Sequence, residues 1–192
     1  MFFKWARSGE TAPYGSFGNG SAMRVSPVGF AFETLEETLA EVGRSASVTQ
    51  NHPEGIKGAQ ATAASIFLAR SGASQAEIRT HVRTAHSYRL FDSIEETRAA
   101  TKWEETCPGS VPQAISAFLL SADFEGAIRK AVSLGGDTDT IACIAGGIAE
   151  AFYGGVPPET AGPVLDRLDD PLRATVVAFR ACHPHPRDGN RP

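Results

Sequence analysis

The stretch Gly135-Gly136-Asp137-Thr138-Asp139-Thr140-Ile141-Ala142-Cys143-Ile144-Ala145-Gly146-Gly147-Ile148-Ala149-Glu150-Ala151-Phe152-Tyr153 decides the fold. From Thr138 to Tyr153 the residues Ile141, Ile144, Ala145, Ile148, Ala149 and Phe152 recur at three-to-four spacing, as on a helix with one core-facing stripe. Gly146 and Gly147 fall in the middle of that helix, where each costs about 1 kcal/mol against alanine. Their plainest use is to let another helix approach closely. Cys143 in the same run reads as a small buried hydrophobe.

The pattern is helical in both directions from there. Leu35 to Val42 reads as a short helix opened by the acidic cluster Glu33, Glu36 and Glu37. Gly58 to Arg70 is Ala-rich, with Ala59, Thr62, Ala63, Ile66 and Phe67 on one face and Gly72 as its stop. Ser74 and Glu77 have capping-box spacing for a third helix. Pro112 suits the first position of a helix through Leu120, Asp123 the cap of one through Val132, and Pro171 to Cys182 closes the chain. Strand-like alternation is absent, so the expected class is all-α, a compact multi-helix bundle. Met1–Gly20 and Phe91–Val111 read as the two long loops, residues 1–182 as a single helical domain, and 183–192 as a disordered tail. Its two histidines are better read as solvated than as metal ligands. Phe2, Phe3 and Trp5 resemble the end of an apolar helix whose beginning is missing.

Composition narrows the partners. The 192 residues carry a net charge of −4 and a pI near 5.7, with no basic stripe to neutralise phosphates, which argues against nucleic acid. No stretch is long and apolar enough to span a membrane, and the N-terminal apolar run is too short for a signal peptide. Cys107, Cys143 and Cys182 show no paired or metal-knuckle spacing. The expected location is cytoplasmic.

Three groups of residues could carry chemistry. Asp137, Asp139 and the hydroxyls of Thr138 and Thr140 crowd one helix entrance, and hard oxygen donors suit magnesium or calcium. A helix cap explains one aspartate equally well; the second adds repulsion that a cation would relieve. Spacing alone leaves the two readings level. Ser16-Phe17-Gly18-Asn19-Gly20-Ser21-Ala22-Met23-Arg24 offers glycines around Asn19, an aromatic face and a helix start to a phosphate-bearing ligand, against a plain turn as the alternative. Arg24 suits either a phosphate or a tie between loops. Asn51-His52-Pro53-Glu54-Gly55 could position a substrate through His52, or simply start a helix.

Taken in order, SFGNGSAMRVSPVG at 16–29, NHPEGIKGAQATA at 51–63 and the run from Cys107 to Gly154 resemble the ADP-ribosylglycohydrolase family, which includes the dinitrogenase-reductase activating glycohydrolases. The resemblance covers most of residues 5–182. It implies an all-α fold around a two-magnesium site at the base of an ADP-ribose cleft. It also implies hydrolysis of the bond from the anomeric ribose carbon to a modified arginine, serine or related acceptor. By that likeness Asp137, Asp139 and Thr140 are metal ligands, and the two aspartates the catalytic pair. Ser16, Phe17, Gly18, Asn19 and Gly20 line the ADP-ribose pocket, with His52 beside them. The family's Gly-Asp-Ala segment with its catalytic Glu, and its Thr-Asp-Asp metal motif, are not found, and Gln50 stands where many relatives carry His. The implied substrate is an ADP-ribosylated protein or an ADP-ribose-type small molecule. The absent helices would leave core surface for a second copy or a completing partner. The alternatives to hydrolysis are a catalytically inactive ADP-ribose-binding protein and a structural or interaction protein on the same scaffold.

Overall fold

In the computed structural model, which describes residues 2–184, the chain forms twelve helices among those residues. They are α1 (Phe2–Ser8), α2 (Gly20–Met23), α3 (Ser26–Ala31), α4 (Leu35–Ser47), α5 (Pro53–Arg70) and α6 (Gln75–Ala85). There follow α7 (Ile94–Ala100), α8 (Cys107–Leu119), α9 (Phe124–Ser133), α10 (Thr138–Tyr153), α11 (Pro158–Leu165) and α12 (Asp170–Cys182). Among the described residues the single β feature is an isolated antiparallel bridge between Gly18 and Thr106. None of the helices is long and apolar enough to cross a membrane. Of the tail expected over 183–192, residues 185–192, with His185, lie outside the described residues.

The least charged helices make the core. From α8, Val111, Ile115 and Phe118 are fully buried, and from α10 Ile141, Ile144 and Ile148 join them, as the stripe predicts. The α5 helix is buried nearly all round, where one buried face was expected; Ala61, Ala64, Ser65 and Ala69 are enclosed as well as Ala59, Thr62, Ala63 and Ile66. Its small side chains let α3, α4, α8 and α10 all pack on it. A second cluster of Val25, Val42, Ala46, Ala59 and Ala63 joins α4 to α5, and Ala46 continues the stripe of Thr38 and Val42, so α4 runs past Val42 to Ser47. The mid-helix glycines do serve close approach. A Cβ on Gly147 would meet Ser26 Oγ at 2.6 Å, and one on Gly146 would meet Ile128 Cδ1 at 2.9 Å.

Caps set the boundaries. Ser74 and Glu77 form the expected capping box, Asp123 Oδ1 accepts from Gly126 N at 2.6 Å, and Gly72, at φ +91°, closes α5 with Ala73 N bonded to Leu68 O. Two expectations need correction. Pro112 is not the first residue of its helix: Thr106 caps α8 through Gly109 N, Pro108 already lies in the first turn, and Pro112 sits inside. The supposed loops Met1–Gly20 and Phe91–Val111 contain α1 and α7, and α11 was not anticipated. Cys143 is also corrected: it lies on the outer side of α10, and Cys107 is the buried thiol.

Candidate active site

The turn into α10 sets the first half of the site. Gly135 and Gly136 have φ of +78° and +69°, a region that non-glycine residues enter only at a cost. Space makes the same demand at Gly136, where a Cβ would lie 2.7 Å from Lys102 O. Asp137 then stands at the N-cap position, yet its side chain makes no cap hydrogen bond. Its carboxylate turns inward, 7% exposed, and accepts a bond from Asn19 Nδ2 at 2.6 Å. A plain helix cap would bond to its own helix instead.

Asp139 and Thr140 complete this half. Asp139 is exposed, while Thr140 is buried and donates its hydroxyl to Met23 Sδ at 3.2 Å. Burial raises the Asp137 pKa above the usual carboxylate range; hydrogen bonds from Asn19 and Thr140 oppose this, and the neighbouring Asp139 reinforces it. Asp139 is shifted downward, first by its hydrogen bond with Asp137. The two carboxyls therefore titrate as a pair. The donor set, two carboxylates and a hydroxyl, fits magnesium in kind. In number it covers part of a six-oxygen shell, and among the described residues no group of three His, Cys, Asp or Glu is placed to hold a metal.

The second half is the Ser16–Gly20 loop. It is strapped to the start of α8 by two backbone bonds, Asn19 N to Glu105 O at 3.1 Å and Cys107 N to Phe17 O at 3.0 Å, which together make the Gly18–Thr106 bridge. Ser16 Oγ accepts from Gly18 N at 3.1 Å. Gln50 backs the loop, its Nε2 3.6 Å from where a Cβ on Gly20 would be. Arg24 is engaged in tying loops, through Gln50 Oε1 (3.0 Å), Ser45 O (2.7 Å) and Thr49 Oγ1 (3.1 Å), so the structural reading of this arginine holds over the phosphate reading.

His52 caps α5, its Nδ1 accepting from Glu54 N at 3.1 Å, and its own N–H reaches Ser16 O at 3.4 Å. Its exposed ring lies 5.2 Å from that of Phe17, which is 44% exposed. The structure thus brings Ser16, Phe17 and His52 to one rim and Asn19 against Asp137. Ser110 was missed. Its Oγ takes the other Asn19 amide hydrogen at 2.8 Å, and nothing in the sequence marks a serine in a helix's second turn as a partner for a residue 91 positions away. The Met23 contact was missed too, although Met23 lies within the motif itself.

Comparison with known proteins bears on the family and the fold. The family model described as ADP-ribosylglycohydrolase matches residues 1–184. The chain is 32% identical over 150 residues to the ADP-ribosylarginine hydrolase Tri1 of Pseudomonas putida, covering 74% of this chain and 40% of the relative. It is 30% identical over 185 residues to the human ADP-ribosylhydrolase ARH3, covering 73% of this chain and 51% of the relative. It therefore spans about half the length of these curated relatives. A solved structure titled an ADP-ribosylglycohydrolase-related protein complex superposes with a TM-score of 0.68 at 27% identity, over 94% of this chain and 66% of that one. With the helical fold, the joined Asn19 and Asp137 motifs and the family match over residues 1–184, the chain belongs to the ADP-ribosylglycohydrolase family.

Proposed function

We propose that the protein removes ADP-ribosyl groups from modified proteins or small molecules by magnesium-dependent hydrolysis. The observation that carries this reading is the 2.6 Å bond between Asn19 and Asp137, which draws the two motifs into one site. Asp137, Asp139 and Thr140 would hold the metal, and the ADP-ribosyl group would lie along Ser16–Gly20. A bound magnesium ion supplies positive charge that orients ribose hydroxyls and a water and offsets charge developing at the reacting bond. Asp137 would offer the metal the carboxylate oxygen that Asn19 does not hold. Asp139, exposed at the helix entrance beside Asp137, would add the second carboxylate. Phe17 offers an aromatic face to a base or ribose, with the His52 ring beside it.

A second reading, ADP-ribose binding without turnover, is favoured by one observation: among the described residues no third carboxylate or imidazole completes the metal shell. The free cysteines suit a reducing compartment, and we read the protein as cytoplasmic, with residues 1–182 acting as one helical domain. The test is release of free ADP-ribose from an ADP-ribosylated protein. We expect release that needs magnesium and is abolished in Asp139→Ala. Binding of ADP-ribose with no release selects the second reading; release unchanged by the substitution removes the metal assignment.

A further inference from the structure

The segment between the two motifs has its own geometry. Asn19 O accepts both Ala22 N (2.9 Å) and Met23 N (3.1 Å), so Asn19 to Met23 form one tight turn. Each end of that turn touches a buried candidate metal ligand. At the start, Asn19 directs one amide hydrogen to Asp137 Oδ2 at 2.6 Å and the other to Ser110 Oγ at 2.8 Å. Both donor hydrogens are thereby used, and none remains for a ligand. At the end, Met23 Sδ lies 3.2 Å from Thr140 Oγ1, where it and the Asp137 carboxylate share the one hydroxyl hydrogen of Thr140. Cys143 Sγ adds a weak bond to Met23 O at 3.7 Å, on the same face of α10 as Asp139.

We infer that Asn19 and Met23 are positioning residues that orient Asp137 and Thr140, so that the ADP-ribose loop and the metal site are coupled through the Asn19–Met23 turn. The inference rests on the magnesium reading given above. A ligand that orders the loop also fixes Asn19, and Asn19 fixes the carboxylate oxygen that Asp137 offers to the cation. Linkage requires the effect to run equally in reverse, from metal to loop.

The test is calorimetric titration of the full chain with ADP-ribose, with and without magnesium. In the unaltered protein magnesium should tighten ADP-ribose binding by about fivefold or more. In Asn19→Ala that gain should fall below about twofold. Met23→Leu, which keeps bulk but removes the sulfur acceptor, should reduce it in part. A purely structural role would lower the melting temperature and leave the gain unchanged. A folded Asn19→Ala variant that binds both ligands with the full gain overturns the inference and leaves the metal reading standing. Binding of both ligands by the unaltered protein with no gain does the same. Should Asn19→Ala fail to fold, an undiminished gain in Met23→Leu overturns it. If the unaltered protein binds neither ligand, the inference and the metal reading fall together.

Discussion

His86 shows how a buried side chain ties stability to pH. It is 6% exposed, its Nε2 has no hydrogen-bond partner among the described residues, and burial lowers its pKa from 6.5 to about 4, with His81 and Lys57 adding nearby positive charge. The folded chain therefore keeps His86 neutral, while the unfolded chain takes up a proton once pH falls below about 6.5. Stability from this residue is fully present above the unfolded value and is lost as pH falls toward 4. At ~1.4 kcal/mol per unit the loss is on the order of 3 kcal/mol. We expect thermal melts between pH 6.5 and 4 to show a shallower decline for His86→Gln than for the unaltered protein. Equal slopes would contradict this. At this scale the sequence spoke through residue types: paired aspartates and a glycine-flanked asparagine raised hard-oxygen and ligand chemistry beside a helix cap and a plain turn. It could not say that Asp137 bonds to Asn19 rather than to its own helix, because that contact spans 118 positions and exists only once α2 and α10 pack.

Between helices, glycine divides into two kinds. Gly29, on α3, faces α5 so closely that a Cβ would meet Ile66 Cγ2 at 2.6 Å and Ile66 Cβ at 2.7 Å. Gly43, within α4, has nothing within 4 Å of such an atom. Gly29→Ala should therefore destabilise by about 1–3 kcal/mol through overpacking. Gly43→Ala should stabilise by about 0.5–1 kcal/mol, since only helix propensity changes. Chemical denaturation of both variants measures the contrast, and shifts of the same sign would contradict it. Helices with a long apolar stripe, such as α10, or with a capping box, such as α6, were legible in the sequence. The Pro112 boundary was not, because Pro108 and Pro112 both fit a first turn, and only the Thr106 cap decides between them. The seven-residue α7 carries Ser93 capping Glu96 N, a serine–glutamate signal of the same spacing, but it is too short for periodicity to stand out. Proline at 157, 158 and 163 masked α11.

Across the whole molecule, packing is uneven. In α8 every residue but Pro108 is buried, whereas neither α11 nor α12 has a buried residue, and Val164, Leu172 and Val177 are more than half exposed. Local opening should follow that gradient. Hydrogen exchange of the native protein should show α11 and α12 losing protection first and α8 last; uniform protection would contradict this. The all-α class was legible because helical periodicity recurs from Leu35 onward, while the joining of two motifs into one site depended on packing that periodicity does not encode. The joined site is the feature on which hydrolysis would depend. Asp139 is exposed, so Asp139→Ala removes a carboxylate without opening the core. The decisive measurement is ADP-ribose release from an ADP-ribosylated protein by the unaltered chain and by Asp139→Ala, each with magnesium and with a chelator. The account predicts release only by the unaltered chain with magnesium; release that survives both the chelator and the substitution would contradict it.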